Sequence, residues 1–148
     1  MTAPPEDDRS PEQAIWDAVQ GLLEIAADDL RLGRHQLTAD PPYRGVVFRA
    51  QQAAEKYCKA LLARHQIEYD RSHDIDYLFD LLAESHAVLV DELVEARGLS
   101  AYAVAPRYEL HPRPDNLDEA VRVLEMAEAV GQRVLEALQD YLDAGRPE

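Results

Sequence analysis

The sequence predicts an all-α fold: an antiparallel four-helix bundle with one additional short helix. Three observations carry this. Apolar residues recur at helical spacing over most of the 148 residues. Capping signals and prolines punctuate the chain where each apolar stripe begins or ends. No strand-length run alternates with period two, and no Asn-Gly hairpin signal or internal repeat occurs. Short breaks between helices favour antiparallel neighbours. A chain of this length fits one domain, with a core large enough to need no disulfide or metal. The expected organisation is a disordered acidic tail over residues 1–9, one helical domain over 10–143 and a frayed tail over 144–148.

The elements follow in order. "SPEQ" opens helix 1: Ser10 is a good N-cap, Pro11 suits the first helical position and Gln13 completes a capping box. The helix is expected to run to about Leu37, with Ile15, Val19, Leu22, Ala26 and Leu30 as its apolar stripe. After "TADPPY", Asp40 is the expected cap and Pro41 the start of helix 2, which reaches about His65. Ser72 is the expected cap of a shorter helix with Ile75, Leu78, Phe79 and Leu82 on one side. A fourth helix is expected from about His86, kinked or split at Gly98 and ended by "HPRPDN", whose prolines cannot continue it. Asn116 and Glu119 form a further capping box. The last helix then runs to about Leu142 on a stripe of Leu117, Val121, Leu124, Ala127, Val134, Leu138 and Tyr141.

Composition limits the function. The formal net charge is −14, from 29 acidic and 15 basic residues. A field of that sign repels nucleic acid and anionic membranes as a whole, yet a local basic pocket survives within a Debye length of about 8–10 Å. A lone Cys58, on the apolar side of helix 2, permits no internal disulfide. No apolar run reaches the roughly 20 residues of a membrane span, and the opening "MTAPPEDDRS" lacks the basic start and apolar stretch of a secretory signal. The expectation is a cytoplasmic protein with no membrane partner. Its five histidines and single cysteine form no recognisable metal motif, and no Gly-rich phosphate loop or nucleophile elbow is present, so neither a metal nor a cofactor is expected.

Two clusters are candidate sites. The first lies in helix 2, "FRAQQAAEKYCKALLARH". At about 100° per residue, Val47, Ala50, Ala54, Tyr57, Cys58, Leu61 and Leu62 share a broad arc, while Arg49, Gln52, Lys56 and Ala60 point away. Gln51 and Glu55 fall toward the apolar arc, and Lys59 sits at its edge. A buried carboxylate needs a donor. Lys59, four residues on, is the local candidate, and an arginine of another helix, first of all Arg107, is the better geometric match. These polar residues either cover a helix boundary or brace a functional side chain. His73, at a helix start, is read as a loop anchor belonging to the same bracing set.

The second cluster is "SAYAVAPRYELHPRP", which gathers Tyr102, Arg107, Tyr108, His111 and Arg113. Arg107 and His111 stand four apart, so one helical face carries both if the helix persists. Such a pair suits a phosphate, with the histidine able to exchange a proton near neutral pH. The alternative is a helix C-terminus, where basic side chains complement the dipole.

Taken together, "AADDLRLG", "FRAQQAAEKYCKALLARHQI", "HDIDYLFDLLAE" and "YAVAPRYE" resemble, in order, the HEPN domain family. The resemblance spans almost the whole chain and is similar to the small stand-alone, nucleotidyltransferase-associated type. It implies a HEPN-like helical bundle that dimerises, a minimal nucleotidyltransferase as partner in a toxin–antitoxin-like pair, and a nucleotide or RNA ligand. On this resemblance Arg107, Tyr108, Tyr102 and Lys59 are the candidate nucleotide- or phosphate-binding residues. Ribonuclease members carry Arg, then four to six residues, then His; here three residues separate Arg107 from His111. That spacing points to a non-catalytic nucleotide- or partner-binding role. The alternatives are a metal-independent endoribonuclease using Arg107 and His111 as catalytic residues, and a purely structural helical dimerisation module.

Overall fold

The computed structural model describes residues 2–38, 43–71, 74–102 and 117–148. Every regular element among them is helical: α1 (Pro11–Gln36), α2 (Arg44–Arg64), α3 (Ile75–Ala83), α4 (Ala87–Glu92), a 3₁₀ segment (Val94–Tyr102), α5 (Leu117–Ala137) and α6 (Gln139–Ala144). The fold is all-α, as the stripes predict.

The start of α1 follows its sequence signal. Ser10 Oγ accepts from the Gln13 backbone N–H, the Gln13 side chain accepts from the Ser10 backbone N–H, and Pro11 is the first helical residue. Two other caps differ from expectation. Tyr43, without a side-chain hydrogen bond, precedes α2, and the expected cap Asp40 lies outside the described residues. At α3 the cap is Asp74, whose carboxylate accepts from the Asp76 N–H, rather than Ser72. Asp74 is itself an efficient cap two residues closer to the apolar run.

The expected long fourth helix is the main correction to the architecture. Its α-helical part ends at Glu92, and the chain continues as a tighter 3₁₀ segment through Gly98. Side chains of α3 hold that segment. Arg97 bridges Asp76 at 3.0 Å and Asp80 at 3.1 Å, and Ser100 Oγ accepts from the Asp76 N–H. The described bundle therefore rests on three long helices, with α3, α4 and the 3₁₀ segment closing the remaining side.

Contact pairs give the directions. Gln36 lies against Gly45, and Asp29 bridges Arg49, so α1 and α2 form an antiparallel hairpin. Gly33 lies against Leu124, while Trp16 meets Tyr141 edge-on at 5.1 Å, so α5 and α6 run antiparallel to α1. Gly131 lies against Tyr57, and Arg64 stacks on Tyr141 at 4.2 Å, so α5 runs parallel to α2. This pair is joined by the long 65–116 connection rather than by a short break, so the expectation of antiparallel neighbours does not bear on it.

α2 is the central helix. Ala50, Ala53, Ala54, Cys58, Ala60, Leu61 and Leu62 are all fully buried. Ala60, expected to point away, is thus core. Leu117, expected in the last stripe, is exposed, and Ala120, Val123 and Val130 take up the inward face of α5. That helix breaks at Leu138 rather than running on unbroken. Near the termini, Asp17 accepts from both Arg9 and Arg146, which hold its carboxyl down to about 2, and Gln13 Nε2 donates to the Pro147 carbonyl.

Candidate functional site

The first cluster forms as a connected polar ladder along α2. Glu55 is fully buried and Gln51 nearly so. Lys59 Nζ donates to Glu55 Oε1 at 2.5 Å, and Lys56 Nζ stands 3.6 Å from the same oxygen. Gln51 Nε2 donates to Glu55 Oε2 at 3.4 Å, Gln52 Nε2 donates to Gln51 Oε1 at 2.9 Å, and Lys56 Nζ reaches Gln52 Oε1 at 3.5 Å. These contacts lie within about two turns of one helix.

This arrangement follows from the helical period. Residues four apart stack on one face, which aligns Gln51, Glu55 and Lys59, while Gln52 and Lys56 form a parallel row one residue over. Lys59, expected at the edge, is buried, and its ammonium sits 5.5 Å from the Tyr69 ring centroid. Lys56 keeps part of its surface open. On the helical wheel Gln51, Glu55 and Lys59 fall toward the apolar arc, whereas Gln52 and Lys56 point away from it, to a solvated or dimer-facing side. The missing signal was that both rows share an edge once α2 is central. Next to the ladder, burial pushes the Cys58 thiol up to about 12, so this sulfur is a packing group and not a nucleophile.

The second cluster is not assembled by the described residues. Arg107, Tyr108 and His111, together with His73, lie outside them; Tyr102 ends the 3₁₀ segment. The proposed contact between Glu55 and Arg107 falls outside them too. The 3₁₀ segment packs on α2, α3 and α5.

Two pairings had no sequence signal. Asp29 of α1 is buried and accepts from Arg49 of α2 at 2.9 Å. His65 and His86, from the end of α2 and the start of α4, bring their ring centroids to 5.0 Å. Ser85 Oγ lies 2.8 Å from His86 Nδ1. Burial, then His86, then Arg64 lower the His65 pKa. An open groove beside this pair is lined by Ser85, His86, Val88, Arg133 and Glu136, with Arg133 held by Glu136 and Glu92. Among the described residues, no three His, Cys, Asp or Glu side chains group as metal ligands would.

Chemically, the α2 ladder sets two ammonium groups against one buried carboxylate, fixed by two amides. That is a preorganised cationic edge suited to an anion, built on a rigid element. The described elements form an all-α bundle whose central helix carries this polar row. Residues 19–138 match the HEPN domain model, which takes in α2 and its neighbours, and the chain belongs to the HEPN domain family. No curated protein and no solved structure matches the chain. No described helix is long and apolar enough to cross a membrane.

Proposed function

We propose that the chain is the non-catalytic, nucleotide- or partner-binding half of a two-component pair with a minimal nucleotidyltransferase, acting as a homodimer. The ladder is the observation that supports this reading. Glu55, buried and bonded to Lys59, spends its charge on holding two lysines in place, as expected of a group that positions cations for an anionic ligand. In this reading Lys56 and Lys59 present the phosphate-binding edge, and Arg107, Tyr108 and Tyr102 complete it. The short Arg107–His111 spacing supports binding over ribonuclease chemistry.

Calorimetric titration with nucleoside mono-, di- and triphosphates tests the proposal. The wild type is expected to bind at least one of them, with affinity reduced at least tenfold in Lys56→Gln and in Arg107→Ala. No binding at millimolar ligand overturns it. Incubation with defined RNA tests the competing enzyme reading: metal-independent cleavage lost in Arg107→Ala shows a nuclease and overturns the non-catalytic role.

A further inference from the structure

The end of α2 and the start of α4 bring two imidazoles together, and nothing in the ladder or in the nucleotide reading uses them. The His65 and His86 ring centroids are 5.0 Å apart, with the ring planes at 52°. Each residue is anchored through its own backbone. The His65 N–H donates to the Leu61 and Leu62 carbonyls, and the chain turns at Gln66, whose φ is 55°. The His86 N–H donates to the Leu82 carbonyl at 2.7 Å, and the His86 carbonyl accepts from the Val90 N–H at 3.1 Å. His86 stands at the N-cap of α4, yet its side chain makes no capping hydrogen bond. Ser85 Oγ lies 2.8 Å from His86 Nδ1, which leaves Nε2 for a second partner. His65 is exposed and His86 half-buried, so solvent reaches the pair.

We propose that His65 and His86 form a binding site for a borderline divalent metal ion, of which zinc is the type, with water completing the coordination. Geometry is the first support. With Zn–N bonds of about 2.0–2.1 Å and nitrogens about 1.2 Å from their ring centres, two imidazoles on one tetrahedral ion have centres roughly 5 Å apart. The observed separation is 5.0 Å. Donor chemistry selects the ion: imidazole nitrogens suit zinc, copper and nickel, whereas magnesium and calcium take oxygen. The Ser85 hydroxyl supplies what metal-bound histidines ordinarily have. By accepting from Nδ1–H it fixes the tautomer whose Nε2 lone pair is free. Charge permits a cation. Arg64, next to His65, stacks on the Tyr141 ring at 4.2 Å. Arg133, in the groove beside His86, is paired with both Glu92 and Glu136, so that group carries a net negative charge. The chain as a whole carries −14. Among the described residues no third His, Cys, Asp or Glu joins the pair, so affinity falls below that of a closed structural zinc centre. An ion on both rings ties the end of α2 to the start of α4, so binding and folding reinforce each other.

Calorimetric titration of the chelator-stripped chain with zinc chloride tests the site. One ion per chain is expected to bind with micromolar affinity. Losing even an outer partner of a metal ligand costs about 10–100-fold, so His65→Gln and His86→Gln are each expected to weaken binding by at least about tenfold. Ser85→Ala, which removes only the positioning hydroxyl, is expected to cost less than either. His35→Gln is the control: Gln36 lies against Gly45, so His35 sits at the opposite end of α2 from His65, and binding is expected to match the wild type. Zinc is expected to raise the thermal midpoint of the wild type and of His35→Gln, but not of His65→Gln or His86→Gln, and an excess of magnesium is expected not to displace it. A second measurement needs no variant. In NMR spectra of the wild type, zinc is expected to shift the imidazole resonances of His65 and His86 together and to leave those of His35 in place. No binding at millimolar zinc overturns the proposal. So does binding that survives in either His65→Gln or His86→Gln, or a shift confined to one of the two rings, because each leaves the ring contact as packing alone.

Discussion

Adjacent helices depart from the inside-out rule in opposite directions. α2, the most buried element, carries Gln51, Glu55 and Lys59 inside; α1, the most peripheral of the long helices, carries Ile25 and Leu32 outside. The two departures differ in cost. Burying a carboxylate and an ammonium removes both from water, and their mutual attraction repays that only with good geometry and further hydrogen bonds. Exposing two aliphatic side chains costs the monomer little. A polar group kept in the interior against that cost marks a requirement within the chain, whereas exposed aliphatic side chains by themselves carry no such cost. The link between the two regions is the Asp29–Arg49 bridge, which pins the faces of α1 and α2 to each other.

The sharpest way to break the comparison is to remove the centre of the ladder. Glu55→Ala leaves Lys59 facing the core without its carboxylate and is expected to cost about 3–5 kcal/mol, read by urea denaturation. A loss under about 1 kcal/mol shows that the ladder is not desolvated and ends the contrast with α1. The paired change Glu55→Leu with Lys59→Met, which removes both charges, is expected to be near neutral or stabilising. A stable double variant that no longer binds nucleotide places the ladder in function; one that binds as before removes it from the site.

The glycines carry the second, smaller contrast. At Gly131 of α5 an added Cβ would lie 2.6 Å from Tyr57 Cε2 and 2.9 Å from its Cζ, in a buried seam between α5 and α2. Overpacking of about 1–3 kcal/mol outweighs the helix-propensity gain of about 1, so Gly131→Ala is expected to lower stability by roughly 1–2 kcal/mol. Gly21→Ala on the outer face of α1 meets no atom and is expected to raise it by about 0.5–1 kcal/mol. Equal effects at the two sites contradict the assignment of one face as packed and the other as open. Chemical denaturation of both variants in one buffer measures this.

Much of this was legible in the chain, and the reasons for the rest are physical. The helical period exposed the α3 core of Ile75, Leu78, Phe79 and Leu82, which is wholly buried, and it aimed Gln51 and Glu55 inward. The Ser10–Gln13 box was readable because both partners lie within one turn. What failed depended on tertiary context. Ala60 looks outward on a two-sided wheel, but α2 is packed on several sides at once and has no fully polar face. The fourth helix was overextended because periodicity does not distinguish an α-helix from a 3₁₀ segment that Arg97 and Ser100 tie to α3. The His65–His86 and Asp29–Arg49 pairs join residues twenty or more apart. No local pattern encodes such a contact.

The weakest expected effect lies at the C-terminal end of α2, where that helix meets solvent. His65 is its C-cap, a position whose dipole favours a protonated imidazole. Burial, the His86 ring and the Arg64 guanidinium act the other way and outweigh it, lowering the pKa below 6.5. The sign follows directly. Below 6.5 the unfolded chain binds this proton more readily than the folded one, so the contribution is fully present above that pH and is lost as pH falls through the lowered folded value. His65→Gln is therefore expected to flatten the decline in stability between about pH 7 and pH 5, where carboxylates have not yet dominated the titration. Because His65 is exposed over much of its surface, the change is a small shift in denaturation midpoint rather than a collapse. Parallel declines in the wild type and the variant exclude the pair as a proton-linked contact. His86→Gln isolates the ring pair: if it matters, that substitution raises the His65 pKa toward 6.5, read by NMR titration, whereas an unchanged value leaves burial and Arg64 as the causes.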